Sequence, residues 1–354
     1  MHMRALPKFA NETIRTAATV AFFAALFVFF GIAPAKAQSV EEFYAGSDVT
    51  LYIGFSAGGG YDVYGRLAAR HFGRFLPGQP TIVPVNMEGA GSLRLLNWLY
   101  SAAPRDGTAF GIVNRAAPFV PLLDNPELAS FDVQELTWIG SANDEVSVCV
   151  AWERTGITRF EQLYEQDLIV GSSGPGADEF VFPRLIRGVL GARIRSVAGY
   201  AGGNEINFAM ERGEVDGRCG FSWSSVRSTR QHWLDDGSVE VIVQFAREKH
   251  PELQDVPLIT DFAETETQRR ILRLITSRLV LGRPFVAPPD LPEDRVTALK
   301  SAFEAMTKDT KFLAEADRLR LEINPVSGKT IETLLAEAYA TPRELVEQAR
   351  QSVR

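Results

Sequence analysis

Metal ligands are scarce in this sequence. The chain has 2 cysteines and 4 histidines among 354 residues. Three of the histidines, His71, His232 and His250, are scattered and lie far from Cys149 and Cys219. Zinc and iron sites need such ligands at short, regular spacings. The sequence therefore predicts no metal site, and no motif in it indicates a cofactor.

The two cysteines can form at most one disulfide within the chain. They lie in the strand-like segments VSVCVAW and VDGRCGF, and export would place them in an oxidising compartment. Their separation in sequence does not determine their distance in space. We interpret Cys149 and Cys219 as buried apolar side chains, and a disulfide between them is the alternative.

Basic charge is not in excess either. The chain carries 37 Lys and Arg against 44 Asp and Glu, a net charge of −7, which argues against a nucleic-acid partner. Nucleotide-binding fingerprints are also missing, because Gly58, Gly59 and Gly60 are not followed by Lys-Ser or Lys-Thr and do not have GxGxxG spacing. Net charge mainly sets solubility and long-range steering, so a local site can still bind an anion.

No complete catalytic motif is present. The nearest pattern, Gly171-Ser172-Ser173-Gly174, resembles the nucleophile elbow of hydrolases. Pro175 stands where that motif needs its last glycine, and no histidine has a matching signature. We therefore predict no catalytic residue and no enzyme activity, and a hydrolase is the alternative that this pattern leaves.

One long apolar run lies at the N-terminus. It covers residues 17–33, follows three basic residues and precedes an A-x-A pattern at 35–37. These are the parts of a secretory signal peptide, so we expect residues 1–37 to be cleaved off near Ala37 and the mature protein to be periplasmic. A retained membrane anchor is the alternative, at the short limit for a bilayer span. Gln38 in place of Cys argues against a lipoprotein.

Cleavage would change both the charge and the size of the chain. Four basic residues and one acidic residue would be lost, so the net charge would fall from −7 to −10. The mature chain would keep 317 of the 354 residues, more than one ordinary core needs. The length therefore favours two domains.

Strand-like runs alternate with helix-length segments in the mature chain, which predicts an α/β fold. A strand over 49–55 leads through GFSAGGGYD into a helix over 62–76, and LIVGSSGPGADEF repeats this form. Glycines let the backbone approach a ligand closely, and the first turn of a helix leaves N–H groups unpaired. Ligands of open α/β sheets bind beyond the carboxyl ends of strands. These loops therefore predict an anion site in a cleft between two domains.

Several segments together resemble the periplasmic solute-binding receptors of the tripartite tricarboxylate transporter family, also called the Bug family. They are GFSAGGGYD, VPVNMEGAGS with the turn APRDGT, GSSGPG, GYAGGNEINFAMERGEVD, VPLITDF and APPDLPEDRV. The segments occur in the family's order and cover nearly the whole mature chain. The combination is far more specific than any single loop.

The resemblance implies an α/β, two-lobe periplasmic binding protein of type II, a Venus flytrap that closes around a small carboxylate. We expect one lobe at residues 48–147 plus 245–354 and the other at 148–244, so that the chain crosses between them twice. In such receptors a glycine-bearing loop of each lobe holds the carboxylate through N–H groups, hydroxyls and ordered water. By position these loops are 55–62 and 172–178.

The predicted ligand-binding residues lie in these loops and at nearby strand ends. They are Phe55, Ser56, Ala57, Gly58, Gly59, Gly60, Asp62, Asn86, Asn114, Arg115, Ser172, Ser173, Gly174, Gly176, Ala177, Asp178, Gly202, Asn204 and Trp223. Asn204 is equally suited to cap a helix. Phe55 and Trp223 would form apolar walls for an aromatic acid, although burial in a core is the commoner fate of both types.

The chain departs from the family pattern at its second loop. Many members carry Ser after the glycine of this loop and His three residues later, whereas this chain has Ala177 and Phe180, so a hydroxyl donor is missing. Asp178 and Glu179 stand at the start of the following helix, where they would stabilise its positive end and compete with an anionic ligand. These acids argue against a highly charged tricarboxylate.

We therefore expect a monomeric receptor that delivers a small carboxylate to the large and small membrane subunits of a tripartite transporter. A receptor whose closed form docks on a membrane sensor kinase is the alternative, because both roles need only a surface that depends on closure. Tricarboxylates, dicarboxylates, aromatic acids and amino acids all remain candidate ligands.

Arg115 is a candidate for binding a distal carboxylate. It follows the segment AFGIV beside Asn114, where a strand end should point into the cleft, and a guanidinium can hold a carboxylate through two parallel hydrogen bonds. An ordinary surface arginine is the alternative. We predict that Arg115→Ala weakens binding of a dicarboxylate more than that of a monocarboxylate in calorimetric titrations. An equal loss, or none, would contradict this role.

Overall fold

The computed structural model describes His2 and residues 38–353. Apart from His2, the predicted signal peptide lies outside the described residues. None of the helices in the described part has the length and apolar character needed to cross a membrane.

Strands and helices alternate along most of the described chain. The strands are β1 (Asp48–Ile53), β2 (Thr81–Asn86), β3 (Ala109–Ile112), β4 (Thr137–Ser141), β5 (Ser147–Trp152), β6 (Leu168–Ser172), β7 (Ile194–Ala198), β8 (Gly217–Ser222), β9 (Val239–Phe245), β10 (Pro284–Ala287) and β11 (Val326–Ser327). The helices are α1 (Val40–Tyr44), α2 (Gly60–Phe72), α3 (Leu93–Ser101), α4 (Val120–Leu123), α5 (Asp178–Leu190), α6 (Gly203–Glu211), α7 (Trp223–Thr229), α8 (Gln231–Asp235), α9 (Glu266–Thr276), α10 (Glu293–Lys308), α11 (Thr310–Arg318), α12 (Gly328–Tyr339) and α13 (Arg343–Ser352). Short 3-10 turns add Gly73–Phe75, Ala90–Ser92, Ala117–Phe119, Pro126–Leu128, Glu153–Thr155, Phe160–Tyr164, Ile259–Phe262 and Ser277–Leu281.

The first sheet has the strand order β11-β4-β10-β3-β1-β2. β1 runs parallel to β2 and β3, whereas β10 runs antiparallel to β3 and β4. In β1 the side chains of Val49, Leu51 and Ile53 are buried and alternate with more exposed neighbours. β3 is buried at every position, as expected for a central strand that is covered on both faces.

The second sheet has the strand order β7-β6-β8-β5-β9. β6 runs parallel to β7 and β8, and β5 runs antiparallel to β8 and β9. Phe182 of α5 stacks on Phe245 of β9 with ring centroids 4.2 Å apart. This contact anchors α5 over the sheet, so the start of α5 has a fixed position at the strand ends.

The chain passes between the two sheets twice. It leaves the first sheet after β4, enters the second at β5, and returns after β9 to form β10. Two mixed sheets joined by two crossings agree with the predicted α/β fold class. The boundaries given for the lobes, 48–147 plus 245–354 and 148–244, stay a prediction.

The first glycine-rich loop begins its helix earlier than predicted. α2 starts at Gly60 rather than at Asp62, and it ends at Phe72 before the turn Gly73–Phe75. Gly58 has a φ of +83°, in the left-handed region that glycine adopts without strain. The Gly58 N–H donates to the Asp62 carboxylate at 2.9 Å. Asp62 therefore closes the loop and lies at the positive end of the helix, where a carboxylate is stabilising.

The last helix contacts elements that follow strands of both sheets. α13 packs against α4, which comes after β3, and against α5, which comes after β6. The Ser352 carbonyl approaches Gly188 of α5 so closely that a Cβ at position 188 would collide with it. Arg350 Nε donates to the Leu122 carbonyl at 2.7 Å. The C-terminal segment therefore joins the two halves away from the crossing strands.

Cys149 and Cys219 are bonded to each other. They stand directly opposite in the antiparallel pair β5 and β8 and form a buried disulfide. Our interpretation of them as separate apolar side chains is therefore wrong, although both are buried as expected. Their pairing depends on the register between two strands that are 70 residues apart, and spacing alone does not reveal that register.

The disulfide predicts a measurable loss of stability when it is removed. A bond across 70 residues restricts the unfolded chain, so replacing both cysteines with Ala should lower the free energy of unfolding by about 2–5 kcal/mol in urea denaturation. Thiol titration of the exported, denatured wild-type protein should find no free thiol. Two free thiols, or a double variant as stable as the wild type, would contradict the bond.

Candidate functional site

Side chains from both halves line a small cavity at the strand ends. Its volume is about 20 Å³, enough for one or two water molecules. It is lined by Phe55, Gly59, Gly60, Tyr61, Asn114, Arg115, Asp178, Glu179, Gly203, Arg218, Gly220, Ser222, Ser225 and Arg283. Three guanidinium groups and two carboxylates thus face a space that is nearly filled.

Arg115 joins the first sheet to the second. Its Nε lies 2.6 Å from Oδ2 of Asp178, the first residue of α5, and each side chain is 1% exposed. Nη1 donates to Ser222 at 2.9 Å, and Nη2 donates to Ser147 at 2.6 Å. Burial alone would lower the pKa of Arg115, but Asp178 and its neighbours more than offset this, and the pKa lies above its ordinary value. The guanidinium is therefore charged, and protein groups contact each of its three nitrogens.

Arg278 approaches Asp178 from a second direction. Its Nη1 lies 4.0 Å from Asp178 Oδ1, and its Nε donates to the Ile275 carbonyl at 2.7 Å. Burial lowers the pKa of Arg278 to about 10, which Asp178 only partly counteracts. Asp178 therefore lies between two buried cations, and it compensates Arg115 far more closely than Arg278.

Arg283 connects the cavity to the segment between β4 and β5. Its Nη2 lies 3.1 Å from Glu145 Oε2 and donates to Ser224 at 3.1 Å and Ser225 at 2.7 Å. The guanidinium also lies 4.4 Å from the centre of the Tyr61 ring, a favourable cation–π distance. Nε and Nη1 of Arg283 have no hydrogen-bond partner, so this side chain retains free donors although it is fully buried.

Arg218 is the least compensated arginine that lines the cavity. It is the second residue of β8, and its Nη1 donates to the Gly203 carbonyl and to Asn207 Oδ1, both at 3.2 Å. Glu179 Oε1 lies 4.0 Å from its Nη2, beyond hydrogen-bond distance, and its Nε has no partner. Burial lowers the pKa of Arg218 to about 10, and Glu179 offsets part of this effect. Arg218 is still protonated near neutral pH and has a free donor.

The predicted ligand-binding residues other than Trp223 divide into two groups. Those that line the cavity are Phe55, Gly59, Gly60, Asn114, Arg115 and Asp178. Those that lie in the surrounding loops and at the ends of neighbouring strands and helices are Ser56, Ala57, Gly58, Asp62, Asn86, Ser172, Ser173, Gly174, Gly176, Ala177, Gly202 and Asn204. Direct contact with a ligand stays a prediction for both groups.

Asp62 and Asn86 hold the first loop in shape. Asn86 Nδ2 donates to Asp62 Oδ1 at 2.9 Å and to the Phe55 carbonyl at 2.8 Å. Asp62 also pairs with Arg66 at 2.9 Å. The polar groups of Asp62 and Asn86, which sequence analysis predicted to bind a ligand, are therefore used in contacts within the protein. These contacts place Phe55 against the cavity.

The glycine-rich loops contact the opposite half of the molecule. The Gly176 N–H donates to the Ala90 carbonyl at 3.2 Å, and Ser56 donates to Glu205 Oε2 at 2.5 Å. A Cβ on Gly91 would collide with the backbone of Gly176. In this structure the glycines therefore allow the two halves to approach each other closely.

Ser172 and Ser173 of the second group, and Trp223 outside both groups, differ in their partners. Ser173 donates to Glu179 Oε1 at 3.0 Å, whereas the buried Ser172 hydroxyl has no partner. Trp223 is 5% exposed, and its Nε1 donates to Glu252 at 2.7 Å, so it does not line the cavity. The hypothesis that Trp223 forms a wall for an aromatic acid has no contact in its favour.

Much of the polar lining was missed by sequence analysis. Arg218, Ser222, Ser225 and Arg283 come from β8, from α7 and from the residues before β10. Arg218 had a usable signal, because a charged residue in the buried strand segment VDGRCGF is rare unless it has a partner. Arg283 and Ser225 had no such signal, since they meet only when the two halves pack together.

One group in the described residues has metal-ligand spacing. The ligand atoms of His250, Glu252 and Glu322 lie within 4.8 Å of one another. The Glu252 N–H donates to His250 Nδ1 at 3.2 Å, and His250 Nε2 lies 3.4 Å from Glu322. Burial, with the nearby Glu145 and Glu252, raises the pKa of Glu322 to about 7. At neutral pH the Glu322 carboxyl is therefore partly protonated, which weakens it as a metal ligand.

Comparison with known proteins shows the fold. No family model and no curated protein sequence match the chain. Among solved structures, the alignment with the periplasmic binding protein BugD covers 86% of this chain and 98% of the BugD chain, with a TM-score of 0.70 and 19% identity. The alignment with a protein of R. palustris with adipate covers 86% of this chain and 97% of that protein, with a TM-score of 0.68 and 16% identity. The alignment with MatC from Rhodopseudomonas palustris with bound malate covers 87% of this chain and 99% of MatC, with a TM-score of 0.67 and 18% identity. The chain therefore has the two-lobe fold of these periplasmic binding proteins, as the sequence resemblance implied.

The ion pair between Arg115 and Asp178 predicts a large effect on stability. Arg115→Ala would leave the buried Asp178 without its closest cation, and we expect a loss of about 3–5 kcal/mol in the free energy of unfolding, measured by urea denaturation. Arg195→Ala is the matched control, because its pair with Asp167 is 65% and 57% exposed and should contribute less than about 1 kcal/mol.

A double-mutant cycle measures the interaction energy between Arg115 and Asp178 apart from their contacts with other residues. The double variant Arg115→Ala with Asp178→Ala should lose less stability than the sum of the two single variants, because the two residues contact each other. If Arg115→Ala costs no more than Arg195→Ala, the pair does not have this role. The binding test of Arg115→Ala must accordingly be read beside the stability of the variant.

Proposed function

We propose that this protein is a periplasmic solute-binding receptor of the Bug type, which captures a small carboxylate between its lobes and delivers it to a tripartite tricarboxylate-type transporter. The observation that carries the proposal is the cavity between the halves, where buried Arg218 and Arg283 keep unpaired N–H donors. Buried cations with free donors are suited to an anionic ligand. The shared fold supports the same function.

The class of ligand follows from the same cavity and from the solved structures. The R. palustris protein holds adipate and MatC holds malate, and both ligands are small carboxylates. In this chain the carboxylate would meet guanidinium groups and the unpaired N–H groups at the start of α2, where Gly59 and Gly60 leave the backbone accessible.

Capture would work through a shift between an open and a closed form. Three contacts join elements of the two halves. They are the contacts of Arg115 with Asp178, of Arg283 with Ser225 and of Ser56 with Glu205. A ligand that contacts both halves favours the closed form, because only that form satisfies both sets of donors. The predicted lobes, 48–147 plus 245–354 and 148–244, would be the bodies that move.

A binding role is favoured over an enzymatic one. Ser173 donates to Glu179 rather than to a histidine. His71 pairs with Glu315, and His250 contacts Glu322. The serines of the elbow-like segment thus lack the base that would activate a nucleophile, and the solved structures of the same fold are binding proteins.

The remaining parts of the proposal concern location and partners. We propose export by the N-terminal signal peptide with cleavage near Ala37, a monomeric mature protein, and docking on the large and small membrane subunits. Docking on a membrane sensor kinase is the second candidate. Genes for the two transporter subunits beside this one would favour transport, whereas a neighbouring sensor kinase gene would favour sensing.

The proposal predicts stabilisation by carboxylates. The mature chain, residues 38–354, would be heated with mono-, di- and tricarboxylates, aromatic acids, amino acids and sugars. A ligand at about 100 times its dissociation constant should add about 2.7 kcal/mol of stability and raise the melting temperature. Stabilisation by sugars or other uncharged solutes alone would overturn the carboxylate proposal.

A further inference from the structure

The carboxylate of Asp178 lies where the cleft is best suited to hold an anion. Asp178 is the first residue of α5, so it lies at the positive end of a helix dipole. Arg115 approaches it at 2.6 Å and Arg278 at 4.0 Å, and Asp178 itself is 1% exposed. The groups that suit an anionic ligand, buried guanidiniums and a helix start, therefore hold a carboxylate of the protein itself.

The pair of Arg115 and Asp178 is close but poorly aligned. Nε of Arg115 and both carboxylate oxygens of Asp178 are buried and have no hydrogen-bond partner. A contact of 2.6 Å in which the N–H does not point at the oxygen lacks the directional part of a charge-assisted hydrogen bond. A carboxylate in the plane of the guanidinium would accept a hydrogen bond from Nε. A better aligned carboxylate can therefore replace Asp178 at Arg115.

Arg278 offers Asp178 a second partner. Arg278 is 1% exposed, and its Nη2 has no hydrogen-bond partner. Asp124, which follows α4, also acts on Arg278, but Asp178 raises the pKa of Arg278 more than Asp124 does. A cavity of about 10 Å³ lies beside Arg278 and Pro175. A shift of the Asp178 side chain towards Arg278 would therefore meet a free donor and some space.

We infer that Asp178 competes with the ligand for Arg115, so that the ligand carboxylate takes the place of Asp178 and Asp178 moves to Arg278. This inference rests on the proposed function and assigns a specificity residue to its site. After the exchange each carboxylate has an arginine, so neither is buried without a cation. The cavity holds only one or two waters. The ligand must therefore enter before the halves close, and the rest of it would hold them further apart than they are here.

The sign of one affinity change separates competition from a simple link between the halves. Asp178→Asn keeps the size of the side chain and removes its charge, so a competitor of the ligand is weakened and carboxylates should bind about tenfold or more tightly. If the pair only holds the halves together, the variant should bind carboxylates less tightly, because the closed form loses a contact.

Calorimetric titration of the mature chain and of Asp178→Asn at neutral pH measures this change. The ligands would be succinate, adipate and the carboxylate that stabilises the chain most in the thermal screen. Asp167→Asn is the matched control, because Asp167 is 57% exposed and its replacement should leave the affinities unchanged. Equal or weaker binding by Asp178→Asn would overturn the inference.

A second variant tests the move to Arg278. Arg278→Gln removes the second partner of Asp178, so the same ligands should bind about tenfold less tightly, because a displaced Asp178 would be buried without a cation. In the double variant with Asp178→Asn this loss should disappear, since no charged side chain has to move. An equal loss in both backgrounds would contradict the exchange.

Formate tests the position of Asp178 without a natural ligand. Asp178→Ala removes the carboxylate group, and formate can put it back. Formate should raise the melting temperature of this variant more than that of the wild type, whereas formamide, which has the same shape and no charge, should not. A variant that folds only in formate gives the same answer. No difference between formate and formamide would overturn the inference even if Asp178→Asn failed to fold.

The two proposals fail in different ways. If neither the wild type nor Asp178→Asn binds any carboxylate of the titrations or of the thermal screen, the proposed function fails together with the inference. If both bind and the variant binds no more tightly, only the inference fails. Tighter binding by Asp178→Asn supports both.

Discussion

The buried ion pair between Arg115 and Asp178 is the contact on which the arrangement of this cleft depends. Arg115 follows a strand of the first sheet, and Asp178 begins a helix that follows a strand of the second. Removing two charges from water is costly and is compensated only by short, complete contacts. Ser147 and Ser222 supply the remaining acceptors for Arg115. In this structure the two halves therefore meet at this pair, and the other buried charges are arranged around it.

This constraint changes the role of the glycine-rich loops. In the structure they bring the two halves together, as in the hydrogen bond from Gly176 to Ala90 and in the close approach at Gly91. Free donors at the cavity belong to guanidinium groups, among them those of Arg218 and Arg283. The binding role proposed above would accordingly use side-chain charge together with the N–H groups of the loops.

The sequence resemblance predicted the fold class, and the two mixed sheets with two crossings agree with it. Local patterns also located the first glycine-rich loop and the helix after it to within a few residues of their observed positions. Glycine conformation and the start of a helix are determined mainly by neighbouring residues. Arg115 was identified as a cleft residue by its position after a strand, and it lines the cavity. Its partner was not identified, because Asp178 had an adequate local explanation as an acid at a helix start.

The sequence by itself determined the alternation of strands and helices, the glycine-rich loops at strand ends, and the family resemblance that joins them. Only the tertiary structure decided which charges face one another. The disulfide between Cys149 and Cys219, the pairing of Arg283 with Glu145, and the weak compensation of Arg218 all join residues that are far apart in the chain. Such contacts depend on strand register and on how the two halves pack, and neither leaves a periodic pattern in the sequence.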